Sequence, residues 1–307
     1  MARVTTVTNL PPHPLPTLAD TRRTGAHTGA RPRPVHFPPM TAARRVARGC
    51  GCAGVIAAAA VVVMVVALVA WLLAAFTTQD KQEPLQPVPA TMPPPAAAAP
   101  PAIDVHGPGR TSDLLFDWSQ DIGNQTNMSG QAVRAYANAA LIAAESWPEC
   151  HLQWNTLAGI GWVETRHGTY TGRFEHSQLD EGGYPDPRII GPRLDGEDFA
   201  HVGDTDGGAF DNDPEFDRAV GPMQFIPESW ARYGRDANGD GHPDPQQIDD
   251  AALGAANLLC NSGGATRDLN TEQGWRDAIF AYNQSNDYVA RVRDAAANYA
   301  LNQPAHR

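Results

Sequence analysis

Lysine is absent from residues 111–307, where 13 arginines stand against 30 aspartates and glutamates for a net charge of −17. That deficit argues against nucleic acid as a partner, since phosphate binding needs a basic surface, and makes cations the better candidates. The same segment lacks any run of alternating apolar and polar residues long enough for a large sheet. It also holds only two cysteines, Cys150 and Cys260.

Charge of either sign is missing from residues 53–76, AGVIAAAAVVVMVVALVAWLLAAF. At about 1.5 Å per residue a helix of that length covers roughly 36 Å, enough to cross a hydrocarbon core of about 30 Å with some tilt. A soluble helix this long would carry a polar face. A cleaved signal peptide fits less well, because the run is longer than a signal core, starts far into the chain and ends at FTTQ without an A-x-A site. The expectation is one uncleaved transmembrane helix. Residues 1–52 hold eight arginines (3, 22, 23, 31, 33, 44, 45 and 48) against the single acid Asp20. The positive-inside rule then places residues 1–52 in the cytoplasm and everything after residue 76 outside the cell membrane. The Pro-, Arg- and Thr-rich tail has no periodicity and reads as disordered. Residues 77–110, centred on PLQPVPATMPPPAAAAPP, read as a stiff polyproline II linker. Residues 111–307 are the one globular unit, long enough for a good core.

On that topology Cys50 and Cys52 lie on the cytoplasmic side and receive no role. Cys150 and Cys260 lie where oxidation is available, so a disulfide between them is predicted, with two buried free thiols as the alternative. Closing a loop of about 110 residues contributes on the order of 4 to 5 kcal/mol in the chain-entropy picture.

What is present is helical pattern. QAVRAYANAALIAAESW (131–147) puts Val133, Tyr136, Ala140 and Ile142 or Ala143 on one side, with Ser129 as cap and Pro148 as stop. NTLAGIGWVETRHG runs from Asn155 as cap to Gly168, and DDAALGAANLLC and the long WRDAIFAYNQSNDYVARVRDAAANYAL follow. Residues 171–217 are rich in Gly, Pro and Asp and read as loop. The expected fold is a mainly α domain with one long insertion.

One carboxylate stands out by its isolation. Glu164 lies in the apolar stretch GIGWVETRHG, in the last turn of its helix, where the terminus disfavours an ionised acid. Desolvation by Ile160, Trp162 and Val163 would add to this, and both effects favour the protonated form that a proton donor at neutral pH requires. Arg166 and His167 act the other way if charged and close. Alone, such a residue reads as a solvated helix glutamate.

Its company changes that. GIGWVETRHG, DRAVGPMQFIPESWARYGRDANGDGHPDP (217–245) and AIFAYNQSNDYV (278–289) together resemble the lytic transglycosylases of bacterial cell-wall metabolism, in the lysozyme-like branch related to membrane-bound lytic murein transglycosylase B. The resemblance covers roughly residues 145–300, and A-x-G-P-M-Q-F-x-P is its specific part. It implies a lysozyme-like domain of the transglycosylase SLT type, with Glu164 as the sole catalytic acid and base and Thr165, where Ser is commoner, binding substrate beside it. It places Met223 and Gln224 along a glycan cleft and Tyr282 and Asn283 beside the acid, while Phe225 and Trp230 read as core. The implied partner is peptidoglycan, and the implied reaction needs no cofactor.

The implied chemistry also explains a lone acid. The substrate's acetamido oxygen attacks the anomeric carbon while Glu164 protonates the oxygen between N-acetylmuramic acid and N-acetylglucosamine. Glu164 then removes the proton of the muramyl C6 hydroxyl, and a 1,6-anhydro ring closes without water. One rival is hydrolysis with Asp204, Asp206, Asp211, Asp213 or Asp217 as the second acid that ordinary glycosidases use. The other is a non-catalytic, calcium-stabilised wall-binding module.

DANGDGHPDPQQ (236–247) matches most of an EF-hand loop, with Asp236, Asn238 and Asp240 at positions 1, 3 and 5, Gly241 at the turn, His242 supplying a carbonyl and Asp244 at position 9. Gln247 stands where a bidentate acid belongs, which weakens binding unless Asp249 or Asp250 substitutes. A structural Ca²⁺ is expected, with a plain Asp/Gly turn as the alternative. Related transglycosylases carry such a loop. The other acidic stretch, DTDGGAFDND (204–213), has poorer spacing for one ion and reads as turns bordering the cleft.

Overall fold

The computed structural model describes residues 64, 67, 85–170, 176–197 and 200–306. The expected tail (1–52) and, apart from Met64 and Ala67, the expected span (53–76) lie outside the described residues. Among the described residues no helix is long and apolar enough to cross a membrane.

Seven α-helices carry the described fold: α1 (Phe116–Thr126), α2 (Gly130–Ser146), α3 (Trp154–Thr165), α4 (Pro227–Tyr233), α5 (Ile248–Asn261), α6 (Glu272–Tyr282) and α7 (Asn286–Ala300). Two short antiparallel ribbons, β1 (Gln178–Leu179) with β2 (Pro185–Asp186) and β3 (Ile190–Arg193) with β4 (Arg218–Val220), are the strands, so the expected mainly α architecture holds. α2 starts where its sequence says: Ser129 Oγ accepts the Ala132 N–H at 3.2 Å, and the helix ends ahead of Pro148.

α3 is apolar nearly all round, and such a helix must be wrapped on every side. It packs along α7, and a Cβ on Gly159 would come within 2.7 Å of the Val292 carbonyl oxygen, so glycine there permits the close approach. Asn155 does not cap this helix. The capping position falls to Gln153, and Asn155 is buried as the second residue of the helix, its amide donating to the carbonyls of Pro95 and Ala296 at 3.0 Å each. A side chain that can both donate and accept was claimed by strands of chain far away in sequence.

Those partners correct the reading of 77–110 as a linker standing away from the domain: residues 85–98 pack on it, while 77–84 lie outside the described residues. Ala97 is buried, its N–H reaching Asn155 Oδ1, and Trp154 Nε1 donates to the Ala98 carbonyl at 3.0 Å. Further upstream, Gln86 and Gln303 exchange two hydrogen bonds: Gln86 N–H to Gln303 Oε1 at 2.9 Å, and Gln303 Nε2 to Gln86 C=O at 2.8 Å. The described part of the proline-rich stretch is an extended strap over the start of α3 and the end of α7.

The last long helical pattern is two helices. Asn283 takes extended backbone (φ −147°, ψ 121°), and Ser285 caps α7 by accepting the Tyr288 N–H. The disulfide joins Cys150, in the turn before α3, to Cys260 at the end of α5, with Cα atoms 5.5 Å apart.

Candidate active site

α3 delivers Glu164 in its last turn and stops because Arg166, His167 and Gly168 all take left-handed backbone, with φ of 53°, 63° and 81°. Thr165 pins this ending: its hydroxyl donates to the Pro222 carbonyl at 2.5 Å and accepts the Gly168 N–H at 2.8 Å. Thr165 is therefore buried and ties the helix end to the next turn, instead of touching substrate as the resemblance implies.

That next turn spans residues 220–225. Val220 and Phe225 exchange both backbone hydrogen bonds, at 2.8 and 3.0 Å, while Gly221 (φ 75°) and Gln224 (φ 52°) turn the chain. A Cβ on Gly221 would stand 1.9 Å from the Pro245 carbonyl oxygen, so the turn rests directly on the end of the 236–247 loop and only glycine allows it. Met223 is fully buried, and its carbonyl accepts the Tyr282 hydroxyl at 2.7 Å. It anchors the turn in the core and does not line the cleft, contrary to the expectation, because the tight reversal aims its apolar side chain inward. Gln224 does face the cleft, its amide donating to the Gly221 carbonyl at 3.1 Å. Trp230 is core as expected, and Phe225 packs edge-on against it with ring centroids 5.1 Å apart while also reaching the cleft wall.

The cleft holds about 380 Å³, within the range of small-ligand sites. Glu164, Gln224, Tyr282 and Asn283 supply its polar groups near α3 and α6, and Leu194 and Ile226 supply apolar wall. Of the residues lining it, Glu164 alone carries a carboxylate.

Burial pushes the Glu164 carboxyl up to about 7, against the pull of a hydrogen bond from Tyr288 and the charge of Arg291. The Tyr288 hydroxyl donates to Glu164 Oε1 at 2.5 Å. Burial and the neighbouring carboxylate hold the Tyr288 hydroxyl well above its usual range, so it remains a donor. Its ring stacks parallel to Tyr282 at 6.4 Å. Tyr288 was the site residue missed in the sequence, although it lies inside the third motif stretch; only the fold shows that one turn past the α6–α7 break returns to Glu164.

The two neighbours expected to bear on Glu164 do not act as expected. His167 is sealed between Tyr136 (Nδ1 to the hydroxyl, 3.2 Å) and Tyr299 (Nε2 to the hydroxyl, 2.8 Å), and burial lowers its pKa to about 3, so it is neutral at pH 7. Arg166 lies over the Trp162 ring at 4.1 Å and donates to the Trp162 carbonyl.

The acids of the two loops are occupied elsewhere. In the 236–250 loop Gln247 caps α5, accepting the Asp250 N–H at 2.9 Å, and Asp249 pairs with Arg110 at 2.6 Å. Asp250 is the acid that turns back to the loop: fully buried, it accepts the N–H groups of Ala237 and Asn238 on Oδ1 at 2.8 and 3.1 Å and of Asp244 on Oδ2 at 2.9 Å. Burial still pushes it up to about 7, so an ionised Asp250 lacks charge compensation. Asp236 accepts from Gly239 and Gly241, Asn238 from Asp240, and Asp240 from His242. Asp236, Asn238, Asp240, the His242 carbonyl and Asp250 offer oxygens of the type a hard cation takes, but Asp236, Asp240 and Asp250 do not gather their carboxylates within 4.8 Å as the acids of the other loop do. Asp244 instead accepts the Gln246 N–H and faces Arg188 at 3.6 Å.

In the other loop, Asp204, Asp206 and Asp217 bring carboxylate oxygens within 4.8 Å of one another. These oxygens accept from the loop itself: Asp204 from Gly207 N–H, Asp206 from Phe210 N–H, and Asp217 from both the N–H and the hydroxyl of Thr205. Neither they nor Asp211 and Asp213 line the cleft.

Residues 217–267 match the family described as the transglycosylase SLT domain. The match takes in the 220–225 turn, α4, the 236–250 loop and α5, and leaves Glu164, Tyr282 and Tyr288 outside it. No curated protein and no solved structure matches the chain. The matched family supports a lysozyme-like, peptidoglycan-cleaving transglycosylase.

Proposed function

We propose that this protein is a lytic transglycosylase related to membrane-bound lytic murein transglycosylase B, cutting the β-1,4 bond between N-acetylmuramic acid and N-acetylglucosamine in cell-wall remodelling. The observation that carries the reading is Glu164: a lone cleft carboxyl, raised to about 7 by burial and held by the Tyr288 hydroxyl at 2.5 Å. A group titrating near 7 can give a proton and take one back at similar cost, which is what one residue acting as acid and then base requires.

Glu164, protonated, donates to the departing glycosidic oxygen while the substrate's acetamido oxygen closes on the anomeric carbon. The carboxylate left behind, stabilised by Tyr288, removes the C6 hydroxyl proton as the 1,6-anhydro ring forms. Gln224 and Asn283, which line the cleft, would bind amide and hydroxyl groups of the sugars, Gln224 as an acceptor because its amide N–H groups serve the turn, and Asn283 as donor and acceptor. Tyr282, with its hydroxyl committed to Met223, offers ring face and fixes the 220–225 turn. Asp236, Asn238, Asp240, His242 through its carbonyl, and Asp250 would hold a structural Ca²⁺, which supplies charge compensation for the buried Asp250. A helix over residues 53–76 would anchor the domain, extracytoplasmic, to the cell membrane, with residues 1–52 in the cytoplasm.

The test is the mass of soluble muropeptides released from purified sacculi. Anhydro-muramyl ends support the reading; reducing ends carrying an added water would replace it with hydrolysis, and no release at all would remove the enzyme.

A further inference from the structure

We infer that the acidic segment 204–217 braces the cleft wall, with Asp213 as a positioning residue for the glycan; the inference rests on the glycan-cleft reading above. Successive residues of a strand point to opposite faces. Pro192 and Leu194 on one strand path and Ala219 on the other line the cleft, so Arg193 and Arg218 project from the back of the same ribbon. They are also cross-strand partners in the β3–β4 register. Two guanidinium groups set opposite each other repel, and in a ribbon of four and three residues with an irregular register that repulsion is a large fraction of what holds the strands.

Asp213 reverses its sign. Its Oδ2 accepts Arg193 Nε at 2.8 Å and Arg218 Nε and Nη2 at 3.0 and 2.9 Å, while Oδ1 accepts Arg193 Nη2 at 3.0 Å. The carboxylate is 5% exposed, and the Arg193 hydrogen bonds, reinforced by Arg218, hold it far below the usual carboxylate range. It is itself fixed by the N–H groups of Glu215 and Phe216 on Oδ1. Asp211 adds a bond from the Arg218 N–H at 2.6 Å, and the Arg193 guanidinium lies over the Phe216 ring at 4.7 Å. One buried carboxylate thus joins β3, β4 and the loop between them, directly behind the wall that meets substrate. Asp213, with Asp211, acts through the ribbon and not on the reacting sugar.

The test uses the full chain and soluble glycan strands. In Asp213→Asn Arg218 loses its carboxylate and Arg193 keeps only the exposed Glu215, so the facing arginines are under-compensated, and the half-saturating glycan concentration is expected to rise about tenfold while kcat changes less than about threefold. Hydrogen exchange at residues 190–194 and 218–220 is expected to accelerate while α2 and α5 do not change. Adding Arg218→Gln to Asp213→Asn removes the repulsive pair, so the double variant is expected to recover part of the lost affinity and protection, and to fold if the single variant does not. A merely structural loss of contacts predicts the opposite order. Unchanged exchange in Asp213→Asn, an unchanged half-saturation, or a double variant no better than the single one overturns the brace. A wild-type chain that cuts no glycan sinks the proposed function instead, and the exchange comparison still decides the brace.

Discussion

Carboxylates crowd two loops of this protein and are nearly missing from its cleft, yet the sparse region is the one equipped for proton transfer. In residues 204–217 and 236–250 the acids accept from backbone N–H groups, a threonine and arginines; Asp213 is held ionised by its arginines, and Asp250, although burial raises it to about 7 as well, spends both oxygens on backbone N–H groups away from the cleft. Glu164 has no such surroundings. Among the described residues its hydrogen bond comes from one tyrosine, so the cost of burial falls on the ionised form and the proton becomes mobile near neutrality. Acid density marks architecture here, and acid isolation marks chemistry.

The sharpest way to break that contrast is Glu164→Gln, which is expected to lower glycan cleavage about a thousandfold or more with the fold intact. The same change separates stability from activity. Glu164 is raised from 4.5 to about 7 in the folded chain, so the native state binds the extra proton and stability falls as pH rises across that window. The glutamine variant is spared this loss. Its thermal midpoint should exceed that of the wild type at pH 8, and the gap should close toward pH 4; a gap that widens on acidification would refute the burial argument. Wild-type activity should decline above about pH 7, as the proton donor is lost.

A smaller effect tests the 236–250 loop as architecture. Millimolar Ca²⁺ is expected to raise the thermal midpoint of the wild type by roughly 5 °C and to leave Asp250→Asn unmoved, as scanning calorimetry with and without chelator would reveal. Next comes Tyr288→Phe. Without that donor the carboxylate is less stabilised, so the high-pH limb of the rate profile should move upward in pH while the maximal rate falls about tenfold. The smallest expected effect belongs to Asp204→Asn, which should change cleavage less than about twofold and leave the product mass as it was. A large loss there would mean that the crowded loop shares in the chemistry after all.

Local signals were legible in the sequence wherever one turn of chain decides the outcome. Ser129 caps α2, Glu164 ends α3, and Pro148 stops the helix before it. The cysteine pair was legible by count, since residues 111–307 hold just these two. What stayed hidden depends on partners chosen across the fold. Asn155 looks like a cap until Pro95 and Ala296 claim it, and Met223 looks like cleft lining until the 220–225 turn aims it inward. His167 looks like a cation until Tyr136 and Tyr299 enclose it. The α6–α7 break was masked because both helices turn apolar faces to one core, so the periodicity runs through it. The Asn283–Ser285 corner was the local sign, and it is this corner that brings Tyr288 to the acid.

The lock between the Gln86 backbone and the Gln303 side chain has a mechanical consequence. A pull on the chain ahead of residue 85 is met first by those two hydrogen bonds and next by Asn155 and Trp154, at the root of α3. Tension applied from upstream therefore reaches the segment after α7 first and the start of the helix that carries Glu164 second.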